Sequence, residues 1–406
     1  MPPIKTKSPL QYIVVPFENK VELGNSCEFP PICSASTRRS TLVLMPFFRT
    51  TLANDAPHLD ALSPAAAMPG GEVEVLGSGF APHDSTLPRA AIGDTPARIA
   101  LSSASRLIVR VPAGAVSGDL IIHSNGSGAS NPLPLSVAIP LAENLHPVAN
   151  PAIDASGNVY ATVSGERGHA VPVAVFRINR DGNAQPFVRD LLNATGLAFD
   201  IEGNLYVSSR AEGTVYRIAP SGEMSIYAEG MGIATGLAFD NDGDLYVGDR
   251  SGTIFKVGRE KTDLGRPIFV IATLEPSVAA YHLAFNDEGT LFVCGPTTSS
   301  FDNIYAIDTH GNTTVFYRGL GRPQGMAFDR DGNLYVAASL HGQRGIVRIT
   351  PDAEASLVVS GSNLVGLAFV EDGAILATRD AIYHVALEIE GRPLFWPHQL
   401  LPHLDD

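Results

Sequence analysis

The chain of 406 residues carries 28 Lys and Arg against 42 Asp and Glu, a formal net charge of −14. That balance argues against a nucleic-acid backbone as partner, and no apolar run approaches the ~20 residues that span a bilayer. Charged residues are only 17% while glycines number 39 and prolines 30. The composition predicts turn-rich β structure, in a chain long enough for two domains.

Residues 1–56 match neither of the units that follow. Lys5, Lys7, Lys20, Arg38, Arg39 and Arg49 outnumber Glu18, Glu22, Glu28 and Asp55, so the segment is mildly basic. Arg38-Arg39 leads an apolar run in the manner of a twin-arginine export signal, but the run is short and ends at Pro46. The expectation is a disordered or mis-assigned leader, with Met45 as an alternative start. Cys27 and Cys33 are placed to pair or to bind a metal, yet no second Cys/His pair stands at zinc-finger spacing. Cys294 reads as a small buried apolar residue.

Residues 57–138 alternate short apolar runs with Gly and Pro. Pro69-Gly70-Gly71 leads into Val73-Glu74-Val75-Leu76-Gly77-Ser78-Gly79-Phe80, and Arg106–Pro112 and Gly118–Ile122 follow. Such runs within about 80 residues predict a small β-sandwich. The stretch from Ser63 to Phe80 resembles the start of an IPT/TIG immunoglobulin-like domain. That resemblance implies a spacer or interaction module. It also tilts the expected compartment toward secreted or periplasmic rather than cytoplasmic.

Residues 139–406 repeat one sentence six times. The copies include TGLAFDIEGNLYVSSR from Thr195, TGLAFDNDGDLYVGDR from Thr235 and QGMAFDRDGNLYVAAS from Gln324. Their anchors are Ile153, Phe199, Phe239, Phe285, Phe328 and Phe369, spaced by 46, 40, 46, 43 and 41 residues. A turn centred on Gly joins the first two strands of each copy, with the strong hairpin signal Asp-Gly at Asp242-Gly243 and Asp331-Gly332, and two shorter strands follow. One such sheet leaves an apolar face open, so copies must stack around an axis. The predicted fold is all-β: a six-bladed β-propeller after an N-terminal immunoglobulin-like sandwich. The fourth strand of blade six is expected from Pro393-Leu394-Phe395-Trp396 or from upstream.

The repeat resembles the NHL and gluconolactonase-like (senescence marker protein family) propellers. In those enzymes a ring on the first strands holds a divalent metal with Glu, Asn and Asp. The resemblance implies hydrolysis of a sugar lactone or ester. The matching positions here are Ala149, Thr195, Thr235, Tyr281, Gln324 and Val365, none of them a carboxylate or Asn. A hard cation needs several oxygen ligands, so the expectation is no metal and no cofactor, with a cation such as calcium or zinc as the alternative.

One position further on, Gly196, Gly236, Gly325 and Gly366 recur, but repeat one has Asn150 and repeat four His282. Two repeats three apart in six place these residues opposite each other at the channel mouth, beside Tyr281 and Gln324. His282 is the candidate catalytic acid or base; the plainer reading is a hydrogen bond within the channel. Arg210, Arg250 and Arg379 follow the second strands in register, with Asp249 and Asp380 as neighbours. They are placed to clamp a carboxylate or phosphate, or to pair between blades. Asp240–Asp244 and Asp329–Asn333 read as turns, because the twelve-residue calcium pattern is incomplete. No G-x-S-x-G elbow or phosphate loop occurs. The function read from the sequence is binding of a small-molecule or protein ligand at the channel face; the alternative is a gluconolactonase-like metal-dependent hydrolase.

Overall fold

The computed structural model describes residues 56–81, 88–124, 128–166, 168–263 and 265–392. All but the last residue of the expected leader, Cys27 and Cys33 included, lie outside the described residues, as does Pro393–Trp396. Among the described residues every regular element is a β-strand, and no helix is long and apolar enough to cross a membrane.

Each of the first five sequence copies opens a four-stranded antiparallel run whose strands lie in chain order. In repeat two these are Ala194–Phe199, Leu205–Ser209, Thr214–Ile218 and Met224–Ala228. The first two strands are buried along their whole length, while the fourth is exposed for its first three residues. This gradient explains the sequence. A strand covered on both faces reads as a continuous run of apolar and small residues, and an outer one admits polar side chains. Repeats one, three and four form sheets of the same kind.

Repeat six contributes only Leu364–Val370, Gly373–Thr378 and Ala381–Ala386. Its outer strand is Ile139–Glu143, which reaches it from upstream and pairs antiparallel with Ala381–Ala386. An early and a late segment of the chain thus share one sheet. Repeat five (Met326–Phe328, Leu334–Leu340, Gln343–Ile349, Ala355–Ser360) is paired at its outer edge instead. Ala66–Ala67 lies parallel between Ala355–Ser360 and Leu133–Val137, so this sheet runs on into the N-terminal strands.

The first strands of the repeats pack side by side, each on the next, and that of repeat six on that of repeat one. Radially stacked, ring-closed antiparallel sheets make a β-propeller. Aromatic contacts join the sheets. Phe199, Phe239, Phe285, Phe328 and Phe369 each meet, edge to face, the second-strand aromatic of the preceding repeat: Tyr160, Tyr206, Tyr246, Phe292 and Tyr335. Centroids lie 4.8–5.0 Å apart, and such a pair contributes about 1 kcal/mol beyond its buried area. In repeat one Ile153 takes the anchor place and packs in the cluster that holds Ile375 of repeat six.

The N-terminal strands follow the order His58–Ser63, Glu72–Ser78, Arg106–Arg110, Thr95–Ser102, Arg89–Ile92, Gly118–Ser124, Leu133–Val137. Alternate residues point inward, and Leu59, Val73, Val75, Val109, Leu120 and Ile122 meet in one core.

Candidate functional site

Glycine recurs on the first strands because the next repeat comes too close for a side chain. A Cβ on Gly196 would strike the carbonyl oxygen of Thr235, and one on Gly236 that of Tyr281. At Gly325 it would strike the Asn150 amide and the Cα of Gly366. The axis is therefore lined by backbone at these positions, with no room for a ligand between neighbouring strands.

The polar groups of the ring are engaged in bonds that hold it together. The Thr195 hydroxyl donates to the Asn193 carbonyl (3.1 Å). That of Thr235 donates to Gly248 O (2.8 Å) and accepts the Tyr281 N–H (3.1 Å), linking repeats three and four. Gln324 donates its amide to Leu364 O (3.2 Å), and its backbone carbonyl accepts the buried Cys294 thiol (3.1 Å). Tyr281 is buried, packs against Ile254 and Ala272 of repeat three, and donates its hydroxyl to Glu275 O. Burial raises its pKa well above the ordinary phenol value. Ala149 and Val365 are buried and bring no oxygen ligand on their side chains.

Asn150 ties together three repeats. Its Nδ2 donates to Met326 O at 2.8 Å and its Oδ1 accepts the Leu367 N–H at 3.1 Å. The amide thus serves repeats five and six, across the junction where the ring closes on repeat one.

His282 lies opposite Cys294 on the neighbouring strand, 3% exposed, and its Nε2 has no hydrogen-bond partner among the described residues. Burial lowers its pKa to about 4, because the charged imidazolium loses its hydration there. A ring held neutral and enclosed is poorly suited to proton exchange with a substrate at neutral pH.

The arginines part company. Arg210 Nη2 donates to Gly165 O of repeat one at 3.2 Å. Arg250 donates through Nε to Ser277 O (3.1 Å) and through Nη2 to Val278 O (2.9 Å), ahead of repeat four. Both reach between repeats to backbone carbonyls. Arg379 is exposed and is fixed through its backbone N–H to Asn363 O.

The turn network is a feature the sequence reading missed, although its D-x-x-G-N-x-Y pattern recurs visibly. Asp200 accepts the Asn204 N–H (2.8 Å), the Asn204 amide (2.7 Å) and the Tyr206 hydroxyl (3.1 Å). Asp154 and Asp329 repeat this with Asn158–Tyr160 and Asn333–Tyr335. These carboxylates are turn-forming acceptors.

Repeat three replaces the Asn by Asp244, and Lys256 Nζ sits 3.0 Å from Asp240 and 2.9 Å from Asp244. Burial works against the Lys256 charge, but the hydrogen bonds to Asp244 and Asp240 prevail and hold its pKa above the ordinary value. Lys256→Met should lower unfolding free energy by about 2 kcal/mol, since it leaves two part-buried carboxylates facing each other. Adding Asp244→Asn, which restores the pattern of repeats two and five, should recover most of that. A double-mutant cycle by urea unfolding checks it; a loss unchanged by Asp244→Asn would refute the account.

No family model matches the sequence, and no curated protein does. Solved structures are similar to it. A protein of unknown function from Bacteroides thetaiotaomicron superposes with a TM-score of 0.50 at 14% identity, over 82% of this chain and 98% of that one. A gluconolactonase from Xanthomonas campestris gives 0.50 at 16% identity, over 62% of this chain and 89% of that one. An auxiliary nutrient binding protein from Bacteroides ovatus gives 0.47 at 12%, over 82% and 98%. At these identities the likeness reaches the fold alone, a β-propeller.

Proposed function

We propose that this chain is a six-bladed β-propeller that binds a small-molecule or protein ligand at its channel face and lacks the metal-dependent hydrolase site of gluconolactonase-like enzymes. Residues 57–138 are read as an IPT/TIG-like immunoglobulin sandwich that presents it, and 139–406 as the propeller. The six-blade count rests on the ring of first strands, with repeat five counted as a blade despite its continuation into the N-terminal strands.

The observation that carries the reading of a propeller without a metal site is the chemistry of the ring. Its hydroxyls and amides at Thr195, Thr235, Gln324 and Asn150 are already bonded to neighbouring backbone. A divalent cation wants several free oxygen ligands, with carboxylates among them. The ring residues do not fit one, and among the described residues no three His, Cys, Asp or Glu are grouped as ligands. The channel face that remains for a ligand is the rim at the ends of the second strands, where Arg379 is exposed.

The test is a pH-stat assay of the folded chain with gluconolactone and related lactones, supplied in turn with calcium, zinc, manganese and magnesium. Ring opening at the uncatalysed rate, with an unfolding midpoint indifferent to chelator, is expected. Metal-dependent turnover would overturn the reading and restore the hydrolase.

A further inference from the structure

The N-terminal strands hold a feature that neither the ring nor the rim explains. Arg98 and Arg110 are directly opposite each other on adjacent strands, and Glu72 is opposite Arg110 on its other side. Direct cross-strand partners share a face, and like charges so placed repel. Both arginines are exposed, and neither has an ion-pair or hydrogen-bond partner for its guanidinium among the described residues. Two cations side by side, with Glu72 the acid cross-strand from Arg110, stand out in a chain of net charge −14.

They also line a cleft of about 440 Å³, whose other walls include Pro69, Pro96, Val111 and Pro112. The walls are set by the backbone: Gly70 N–H donates to Val111 O (2.8 Å) and Val111 N–H to Gly71 O (2.9 Å). Proline and valine offer an apolar surface with little conformational freedom to lose on binding. Paired guanidiniums offer a fork that matches a carboxylate bidentately.

We propose that this cleft binds a small carboxylate with an apolar body, the carboxylate lying between Arg98 and Arg110 and the body against Pro69, Pro96 and Pro112. Glu72 sets the polarity of the row, repelling the anion from the far side of Arg110 and leaving the arginine pair as its seat. The site is separate from the channel face and stands or falls independently of it.

Calorimetric titration of the intact chain with benzoate at low ionic strength tests this, with inorganic phosphate as a second arm. Saturable benzoate binding is expected, tighter than phosphate and at least tenfold weaker in the Arg98→Gln/Arg110→Gln variant. Arg98→Lys, which keeps the charge but loses the fork, should fall between. The double variant removes the Arg98–Arg110 repulsion and the Arg110–Glu72 attraction together, both between exposed groups, so its melting temperature should stay close to the parent's, which separates lost binding from lost folding. Absence of saturable benzoate binding, undiminished binding in the double variant, or phosphate binding as tight as benzoate would overturn the proposal.

Discussion

Gly325→Ala is expected to lower the unfolding free energy by about 3 kcal/mol, at the upper end for overpacking a rigid core. The added methyl group meets the Asn150 amide oxygen and the Cα of Gly366. Neither can withdraw by changing a rotamer. Asn150 is held at both ends of its amide, and Gly366 is backbone. The Gly325 strand is pinned as well, its N–H on Val365 O (3.1 Å) and its carbonyl accepting the Ala337 N–H (2.9 Å). Strain introduced there spreads over repeats five, six and one. A matched control is Gly118→Ala, whose Cβ would find its nearest atom, the Gly93 Cα, at 3.4 Å. That change should stay within about 0.5 kcal/mol. Urea unfolding of the two variants beside the parent gives the answer, and equal midpoints for Gly325→Ala and the parent would refute the ring as described.

Acid should destabilise the protein through His282 well before most carboxylates protonate. The folded pKa is about 4 against an ordinary 6.5. Between those values the unfolded chain binds a proton that the folded chain does not, so stability falls as pH falls. Well above pH 6.5 the effect is absent; by pH 5 it amounts to about 2 kcal/mol, and below pH 4 it levels off near about 3 kcal/mol. The comparison is with His282→Gln, whose side chain does not ionise in this window, so that contributions common to both proteins cancel. The stability difference between parent and variant should change by about 2 kcal/mol from pH 7 to pH 5. Parallel pH profiles for the two proteins would show that His282 takes up its proton as easily folded as unfolded.

Local, repeated signals were readable from the sequence because they serve contacts that recur in several copies. The anchor Phe, the turn Asp-Gly and the first-strand Gly each answer one steric or packing demand, made again some forty residues later. The residues that break the pattern were visible too, at Asn150 and at Tyr281-His282, but their partners were not. Asn150 was placed across the channel from His282 by counting repeats. The structure adds that its amide is bonded to Met326 and Leu367, 176 and 217 positions away in sequence. The arginines likewise recur in register, yet Arg210 reaches back to repeat one and Arg250 forward to the approach to repeat four. Register fixes where such a side chain starts and leaves open which carbonyl it finds.

By itself, then, the sequence determined an all-β chain of stacked antiparallel sheets, because period, turn chemistry and apolar runs are properties of neighbours along the chain. Only the tertiary structure decided how the ring closes. Ile139–Glu143 completes repeat six, and Ala66–Ala67 joins the edge of repeat five to the N-terminal strands. Edge strands accept any partner that offers unpaired backbone groups, so their pairing carries almost no side-chain signature. The same holds for the ring: its Thr, Gln and Asn side chains have the atoms of a binding site, and their engagement with neighbouring backbone is a matter of distance that composition cannot express.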